Sequence, residues 1–279
     1  MALDDNERAV AEFRASRGGL GGPFAGARIV VLTTGRGAAG GKLVQPVAFH
    51  YGEKGSLLLA AVPADDGTLP EWYGNVLADP RVSVETGTAV IEADARPLTG
   101  WERDTVYAQL AEVTPGLHEK QRLLAEPVPI VALRTRSRAR LAAEPWGDEL
   151  KAVHDGFRRE LALIREEIAA GGPKLAAQLR VNCLTACAML HRHHVTEDDE
   201  VFPKIDRLHP ELAAAVRGLR EEHRRLAELV GRLQDLAADE TSGSAAVLAE
   251  VDGLTAEIEA HLDREEERLV PVLNALKTK

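Results

Sequence analysis

Cysteine is nearly absent: Cys183 and Cys187 are the only two in 279 residues. That count excludes a disulfide framework, and two cysteines four apart on one expected helix read as small buried side chains. Aromatic residues make up only 4%. No uninterrupted apolar run approaches the ~18 residues that a membrane span needs. Positive charge is also in deficit, with 34 Lys and Arg against 44 Asp and Glu and a formal net charge of -10. A phosphate-binding surface and a nucleic-acid partner are therefore not expected. The opening Met1-Ala-Leu-Asp-Asp-Asn-Glu-Arg lacks the basic-then-apolar layout of a signal peptide. Together these scarcities predict a cytoplasmic protein with no membrane partner, long enough for two sizeable apolar cores.

Composition changes near residue 140. The first part mixes short Val-, Ile- and Leu-rich runs with glycine-rich turns. The second reads as helix almost throughout and holds seven of the nine histidines. We place a first domain at residues 1–138, a linker at 139–146 broken by Pro145, and a second domain at 147–279. In the first domain, the spacing predicts a helix over Asp4–Arg17. Strands follow at Arg28–Thr34, Val44–Tyr51, Ser56–Val62, Arg81–Glu85, Ala89–Arg96 and Val128–Leu133, with short helices at Pro70–Ala78 and Gly100–Glu112. This is an α+β layout with a small antiparallel barrel. In the second, four helices are expected over Trp146–Ala170, Pro173–Leu208, Pro210–Ala238 and Ala245–Leu276. Short connections make them an antiparallel four-helix bundle.

Each of those four helices carries a histidine on its apolar seam. In the first, His154 continues into Phe157, Leu161, Ile164 and Ile168. The second runs Leu179, Cys183, Ala186, Leu190, His193, Glu197, Val201. The third runs Leu212, Val216, Leu219, His223, Leu226, Val230, Leu233, and the fourth Val251, Leu254, Ile258, His261, Glu265, Leu269. Residues four apart share a helix face, so His193 with Glu197 and His261 with Glu265 are matched His-x-x-x-Glu pairs. His194 lies at the edge of that phase and His191 outside it. Two buried anions without partners would cost several kcal/mol each. A pair of metal cations removes the objection, and imidazole with carboxylate suits a borderline transition metal. The candidate metal residues are His154, His193, Glu197, His223, His261 and Glu265.

The pieces His154-Asp-Gly-Phe, His193-His-Val-Thr-Glu197-Asp-Asp-Glu-Val-Phe-Pro203, Glu222-His223-Arg-Arg-Leu and His261-Leu-Asp-Arg-Glu265 resemble, in order, the hemerythrin-like HHE cation-binding family. The resemblance implies a bundle enclosing two iron ions, with Glu197 and Glu265 bridging them and the four histidines as terminal ligands. Oxygen-carrying members have a second histidine one turn along the third helix, where this chain has Leu219 and Ala227. That departure leaves coordination positions to solvent or to His194.

In the first domain, Glu12-Phe-Arg14, Gly21-Gly-Pro-Phe24, Thr33-Thr34 with a glycine-rich turn, Gln45-Pro46-Val47 and Trp72-Tyr73-Gly-Asn75 resemble the deazaflavin-dependent nitroreductase family. The resemblance implies a split β-barrel of the FMN-binding type and the hydride carrier coenzyme F-420. Here it would be held by Arg36, Gly40, Lys42, Pro46, Trp72, Tyr73 and Asn75. The family's cationic turn is reduced to Arg36-Gly-Ala-Ala-Gly40, with Leu43 in place of an arginine, so weak binding is expected. The combined expectation is a diiron redox protein, an oxidoreductase acting on oxygen, peroxide, nitric oxide or a small organic acceptor. The alternative is a non-catalytic oxygen, nitric oxide or iron sensor or store. No catalytic residue is singled out, and a homodimer through the barrel is the expected assembly.

Overall fold

The structure is a computed structural model that describes residues 3–36, 40–52, 56–140 and 145–275. It divides into two compact units, Met1–Ala143 and Glu144–Lys279, and each is described by itself.

The first unit runs α1 (Leu3–Ala15), β1 (Ile29–Gly35), β2 (Lys42–Ala48), β3 (His50–Tyr51), β4 (Leu57–Ala60), α2 (Glu71–Ala78), β5 (Arg81–Glu85), β6 (Ala89–Pro97), α3 (Gly100–Val113), α4 (Leu117–Gln121) and β7 (Ile130–Arg140). The strands form one sheet in the order β2-β1-β5-β6-β7-β4-β3, antiparallel at every pairing. It curls into a half-barrel. β1 explains the curl's two-sided core. Side chains alternate along a strand, so Val30 and Leu32 enter the barrel interior with Trp72, Val84 and Leu133. Ile29 and Val31 face outward against Val10 and Phe13 of α1. A second outer cluster, Leu58, Leu98, Leu110, Leu117 and Ile130, is covered by α3 and α4. Pro46 lacks an N–H, and it sits in β2, at one end of the strand order where one side needs no ladder partner.

Three details differ from the pattern read in the sequence. The run Val44–Tyr51 breaks at Phe49, whose N–H bonds to Arg28 O at 2.9 Å, giving two strands. α4 was not anticipated, because five residues are too few for a periodic signal. β7 continues to Arg140 in register with β6, Ala89 opposite Arg140, so the basic run after Leu133 is strand and not yet linker.

The second unit contains α5 (Trp146–Ala170), α6 (Ala177–Thr196), a π-helical turn (Glu197–Val201), α7 (Phe202–Leu208), α8 (Ala213–Ala238) and α9 (Ser244–Ala275). The expected seams of α5, α8 and α9 are buried, from Phe157 to Ile168, Val216 to Leu233 and Val251 to Leu269. Leu212 is the exception, lying in a 3-10 turn before α8. At one end the two loops are stitched together: Ser244 N–H bonds to Pro173 O at 3.0 Å and its hydroxyl to Gly172 O at 2.7 Å. At the other end Gly147 lets α5 press onto α9, since a Cβ there would collide with Val270 backbone and the Asn274 side chain.

The second helix is not one straight cylinder. Pro203 has no N–H and its ring would crowd the carbonyl four residues back. The chain answers with a wide turn in which Phe202 N–H bonds to Glu197 O, five residues earlier. The extra residue moves the seam, so Phe202 is fully buried where Val201 was expected. No helix among the described residues is long and apolar enough to cross a membrane.

The close approach at Gly147 is testable. Gly147→Ala should lower bundle stability by about 1–3 kcal/mol, the usual cost of forcing an extra methyl into a tight contact. Urea unfolding followed at 222 nm measures it, and an unchanged midpoint would contradict the packing described.

Candidate metal centre

Five imidazoles and two carboxylates meet in the middle of the bundle. His154 and His261 are fully buried, as is Glu265; His223, His194 and Glu197 are nearly so. His193 is half-buried. The groups form two poles. His154, His193, Glu197 and Glu265 bring one donor atom each within 4.8 Å of one another, and so do His194, His223 and His261.

The two glutamates stand between the poles. Glu197 Oε1 is 3.2 Å from His193 Nε2, while its Oε2 is 3.7 Å from His223 Nε2. Glu265 Oε2 is 3.6 Å from His154 Nε2 and 3.5 Å from His261 Nε2. None of the four carboxylate oxygens has a hydrogen-bond partner. Burial first, and the neighbouring Glu265 charge second, push the Glu197 carboxyl well above the usual range. Burial also raises Glu265. The histidines move the other way: burial lowers His154 and His223 to about 3, and lowers His193, His194 and His261 as well.

Outside the donors lies a layer of acids. His154 Nδ1 faces Glu266 at 3.0 Å, His223 Nδ1 faces Asp198 at 3.1 Å and His261 Nδ1 faces Glu222 at 2.8 Å. Arg158 donates to Glu266 and Arg264 to Glu222, at 2.8 and 2.9 Å. Burial pushes Glu222 up, but the hydrogen bonds from Arg264 and His261 outweigh it and hold its carboxyl below the ordinary value. An ionised carboxylate only accepts, so this network assigns the histidine proton to Nδ1. The Nε2 atoms of His223 and His261 then carry lone pairs, and they face each other at 3.2 Å. Two lone pairs at that distance repel unless a cation lies between them. With four unpartnered carboxylate oxygens alongside, the donor set fits metal ions of the borderline class. The carboxylate–histidine pairs are the outer layer that orients metal-binding imidazoles.

All six candidate metal residues named from the sequence meet here. His191 is exposed, as read. His194 is not at the edge: it is buried and stacks on His223 with ring centroids 4.2 Å apart. The seam passes between His193 and His194, so α6 sends one imidazole to each pole. Asp198, Glu222 and Glu266 were missed as partners. Their signal was adjacency, since each neighbours a donor in the sequence yet serves the histidine of another helix.

A small cavity in the same bundle is lined by Phe157, Glu160, Leu161, Ile164, Cys183 and Cys187 among others, and none of the seven donors lines it. The Phe157 ring lies 5.2 Å from that of His193. The two cysteines are not disulfide-bonded, and burial raises the Cys187 thiol to about 12, which makes it a poor nucleophile.

In the first unit, two of the candidate cofactor residues, Arg36 and Asn75, contact across the end of β1 and the start of α2. Asn75 Nδ2 donates to Thr34 Oγ1 at 3.1 Å. Arg36 Nε lies 3.2 Å from Glu71 Oε1. Lys42 is exposed and pairs with Gly35 across the hairpin, whose return is helped by positive φ at Gly40 and Gly41. Residues 37–39 of the glycine-rich turn lie outside the described residues. Pro46 sits opposite Val31. Trp72 is 2% exposed and is part of the barrel core, with Tyr73 edge-on to it at 6.1 Å. Trp72 therefore positions its neighbours and offers no free face.

Fold and donor set define the class: a split β-barrel followed on one chain by a histidine- and glutamate-lined four-helix bundle. Residues 147–273 match the model of the hemerythrin HHE cation binding domain, and residues 6–135 match that of F420H(2)-dependent quinone reductase. The two matches do not overlap, the quinone reductase model lying in the N-terminal part of the chain and the hemerythrin model in the C-terminal part. Among solved structures, it is similar to one described as a domain-swapped dimer, at 26% identity and a TM-score of 0.36, covering 48% of this chain and 100% of that one. An F420-H2 dependent reductase is 30% identical with a TM-score of 0.33, over 38% of this chain and 93% of its own. The heme storage protein HutZ from Vibrio cholerae is 16% identical with a TM-score of 0.31, over 48% and 94%.

The shifted groups set a pH dependence for the metal-free protein. Histidines with depressed values are neutral when folded but protonated when unfolded below 6.5. The unfolded chain then binds more protons, and stability falls as pH drops below 6.5. The raised glutamates act oppositely: above 4.5 the unfolded chain loses protons that the folded one keeps, so stability falls as pH rises. Five histidines outweigh two glutamates between those values. Stability of the chelated protein should therefore rise to a maximum near pH 6.5 and decline above it. Thermal unfolding from pH 5 to 9 checks this; a steady rise to pH 9 would contradict the glutamate assignment.

Proposed function

We propose that the bundle holds two iron ions and that the protein is an oxidoreductase of oxygen, peroxide, nitric oxide or a small organic acceptor. The observation that carries this is the pair of imidazole lone pairs facing each other beside four unpartnered carboxylate oxygens. His154, His193, His194, His223 and His261 surround the position, and Glu197 and Glu265 span its poles. Bound iron would supply one-electron redox chemistry and Lewis acidity. The chain's own contribution is to fix three of the imidazoles, those of His154, His223 and His261, by an acid on Nδ1 and to cover the donors with the rings of Phe157 and Phe202.

The barrel is the proposed site for a deazaflavin, with Arg36, Lys42, Gly40, Tyr73 and Asn75 nearest the coenzyme's polar parts. Arg36 is already paired with Glu71, so an anionic tail must compete for it. That pairing favours the second reading, a sensor or store of oxygen, nitric oxide or iron with the barrel as scaffold. The proposal includes a cytosolic location and a homodimer of barrels, which light scattering on the purified chain checks.

Metal analysis of protein expressed with ample iron should find about two ions per chain. His261→Ala should lose metal and stability together, whereas His191→Ala should keep both. Full metal content in His261→Ala would overturn the assignment. In the barrel, each charge-assisted hydrogen bond is worth roughly 1.5–3 kcal/mol. Glu71→Ala frees Arg36 from an exposed pair worth about 0–1 kcal/mol and should tighten coenzyme F-420 binding by up to about fivefold, and Arg36→Ala with Lys42→Ala should abolish it. Absence of binding to the wild type and to Glu71→Ala alike selects the scaffold reading.

A further inference from the structure

We propose that Cys183 and Cys187 form a second metal site in the bundle, built for a soft monovalent cation of the copper(I) class held in a line between two sulfurs. They are the only cysteines of the chain. They lie one turn apart on α6, both are buried and neither is disulfide-bonded. Both line the small cavity of the bundle, together with Glu160, Leu161, Ile164 and Leu254 among others, and none of the seven donors of the metal centre lines it. The sulfur site is therefore separate from the histidine and glutamate centre, and it stands without the iron reading.

Spacing decides what the pair can do. Residues four apart on a helix hold their Cβ atoms about 5–6 Å from one another. A disulfide needs about 3.5–4.5 Å, so the two sulfurs do not join while the helix is intact. Two metal–sulfur bonds of about 2.3 Å, end to end, span about 4.6 Å. Two side chains on one helix face reach across that gap, and the cavity leaves room for the ion. Thiolate is a soft donor and selects copper(I) among the common ions. Among the described residues, Glu160 is the one oxygen-bearing side chain on the wall, and apart from the sulfurs the rest is hydrocarbon. Zinc prefers four donors and finds three at most, whereas a linear ion needs only the two sulfurs. The wall also sets the charge, because a buried net charge is costly. Copper(I) displaces one proton and leaves a thiolate and a thiol around it, with no net charge and no electron transferred. Burial pushes the Cys187 thiol up to about 12. The empty site thus keeps its protons and resists oxidation, since the thiolate is the reactive form, until a cation displaces one of them.

The test uses the full chain, titrated anaerobically with copper(I) and with silver(I), which has the same charge and the same linear preference. Metal content, competition with a copper(I) chelator and the ultraviolet sulfur-to-metal absorption are read together. The wild type should take up one thiolate-held ion per chain. Cys183→Ala and Cys187→Ala should each weaken it by more than the about 10–100-fold that loss of an outer-layer partner costs. Circular dichroism shows whether each variant folds. Wild-type affinity in either folded variant would overturn the proposal. X-ray absorption on the copper-loaded wild type decides the matter even where a variant does not fold. Two sulfur neighbours support the site; nitrogen neighbours alone place the ion in the histidine centre and overturn it, as does a wild type that takes up no copper(I) at all.

Discussion

The bundle is organised around a group of atoms that repel one another. Glu197 and Glu265 place four carboxylate oxygens away from water, none with a hydrogen-bond partner. Two imidazole nitrogens meet lone pair to lone pair nearby. An isolated buried ion costs several kcal/mol even after relaxation, so the metal-free arrangement holds together only by keeping its carboxyls protonated and its histidines neutral. A cation reverses each of those penalties at once. The outer acids show the arrangement is prepared for one, because Glu266, Asp198 and Glu222 turn three imidazoles so that Nε2 points inward. Arg158 donates to Glu266 and Arg264 to Glu222 in turn.

How α6 reaches both poles follows from helix geometry. Successive residues are about 100° apart around a helix, so two neighbours both face inward only when the buried seam runs between them. His193 and His194 satisfy that condition. The π turn then adds a residue before Pro203, and Phe202 replaces Val201 as the next buried side chain. π turns inside helices are frequent at functional sites, and this one begins at Glu197 and lies between the His193–His194 pair and Pro203.

The bundle was largely legible in the sequence because each donor lies on an apolar seam of period 3.6, and burial of that seam is what folds the helix. Six candidate residues were singled out that way, and the structure brings them together. His194 was not, since a seam drawn through His193 treats its neighbour as peripheral, and 3-and-4 spacing fixes helical phase only to within about half a residue step. The π turn was hidden for a related reason: a five-residue interval looks like an error in a 3.6 pattern. Outer acids carry no periodic signal at all, because they are chosen by the helix opposite. In the barrel, strand positions were legible from Val, Ile and Leu runs, yet Trp72 shows the limit. A motif residue can be kept for the core, and only its burial at 2% exposure distinguishes that from ligand stacking.

The two halves differ in how completely their charges are arranged. The bundle's donors are preorganised by an outer layer, whereas the barrel's Arg36 is held by Glu71 on the surface of α2. Exposed pairs of this kind are worth little, about 0–1 kcal/mol, so the pairing lowers affinity for an anionic tail without forbidding it. The proposed deazaflavin, if held there, would supply hydride chemistry in the barrel; without it the barrel would be a scaffold, and the donor set of the bundle stands the same in either case. The balance between these two readings turns on one surface ion pair and on the cations around it, not on the buried donors of the bundle.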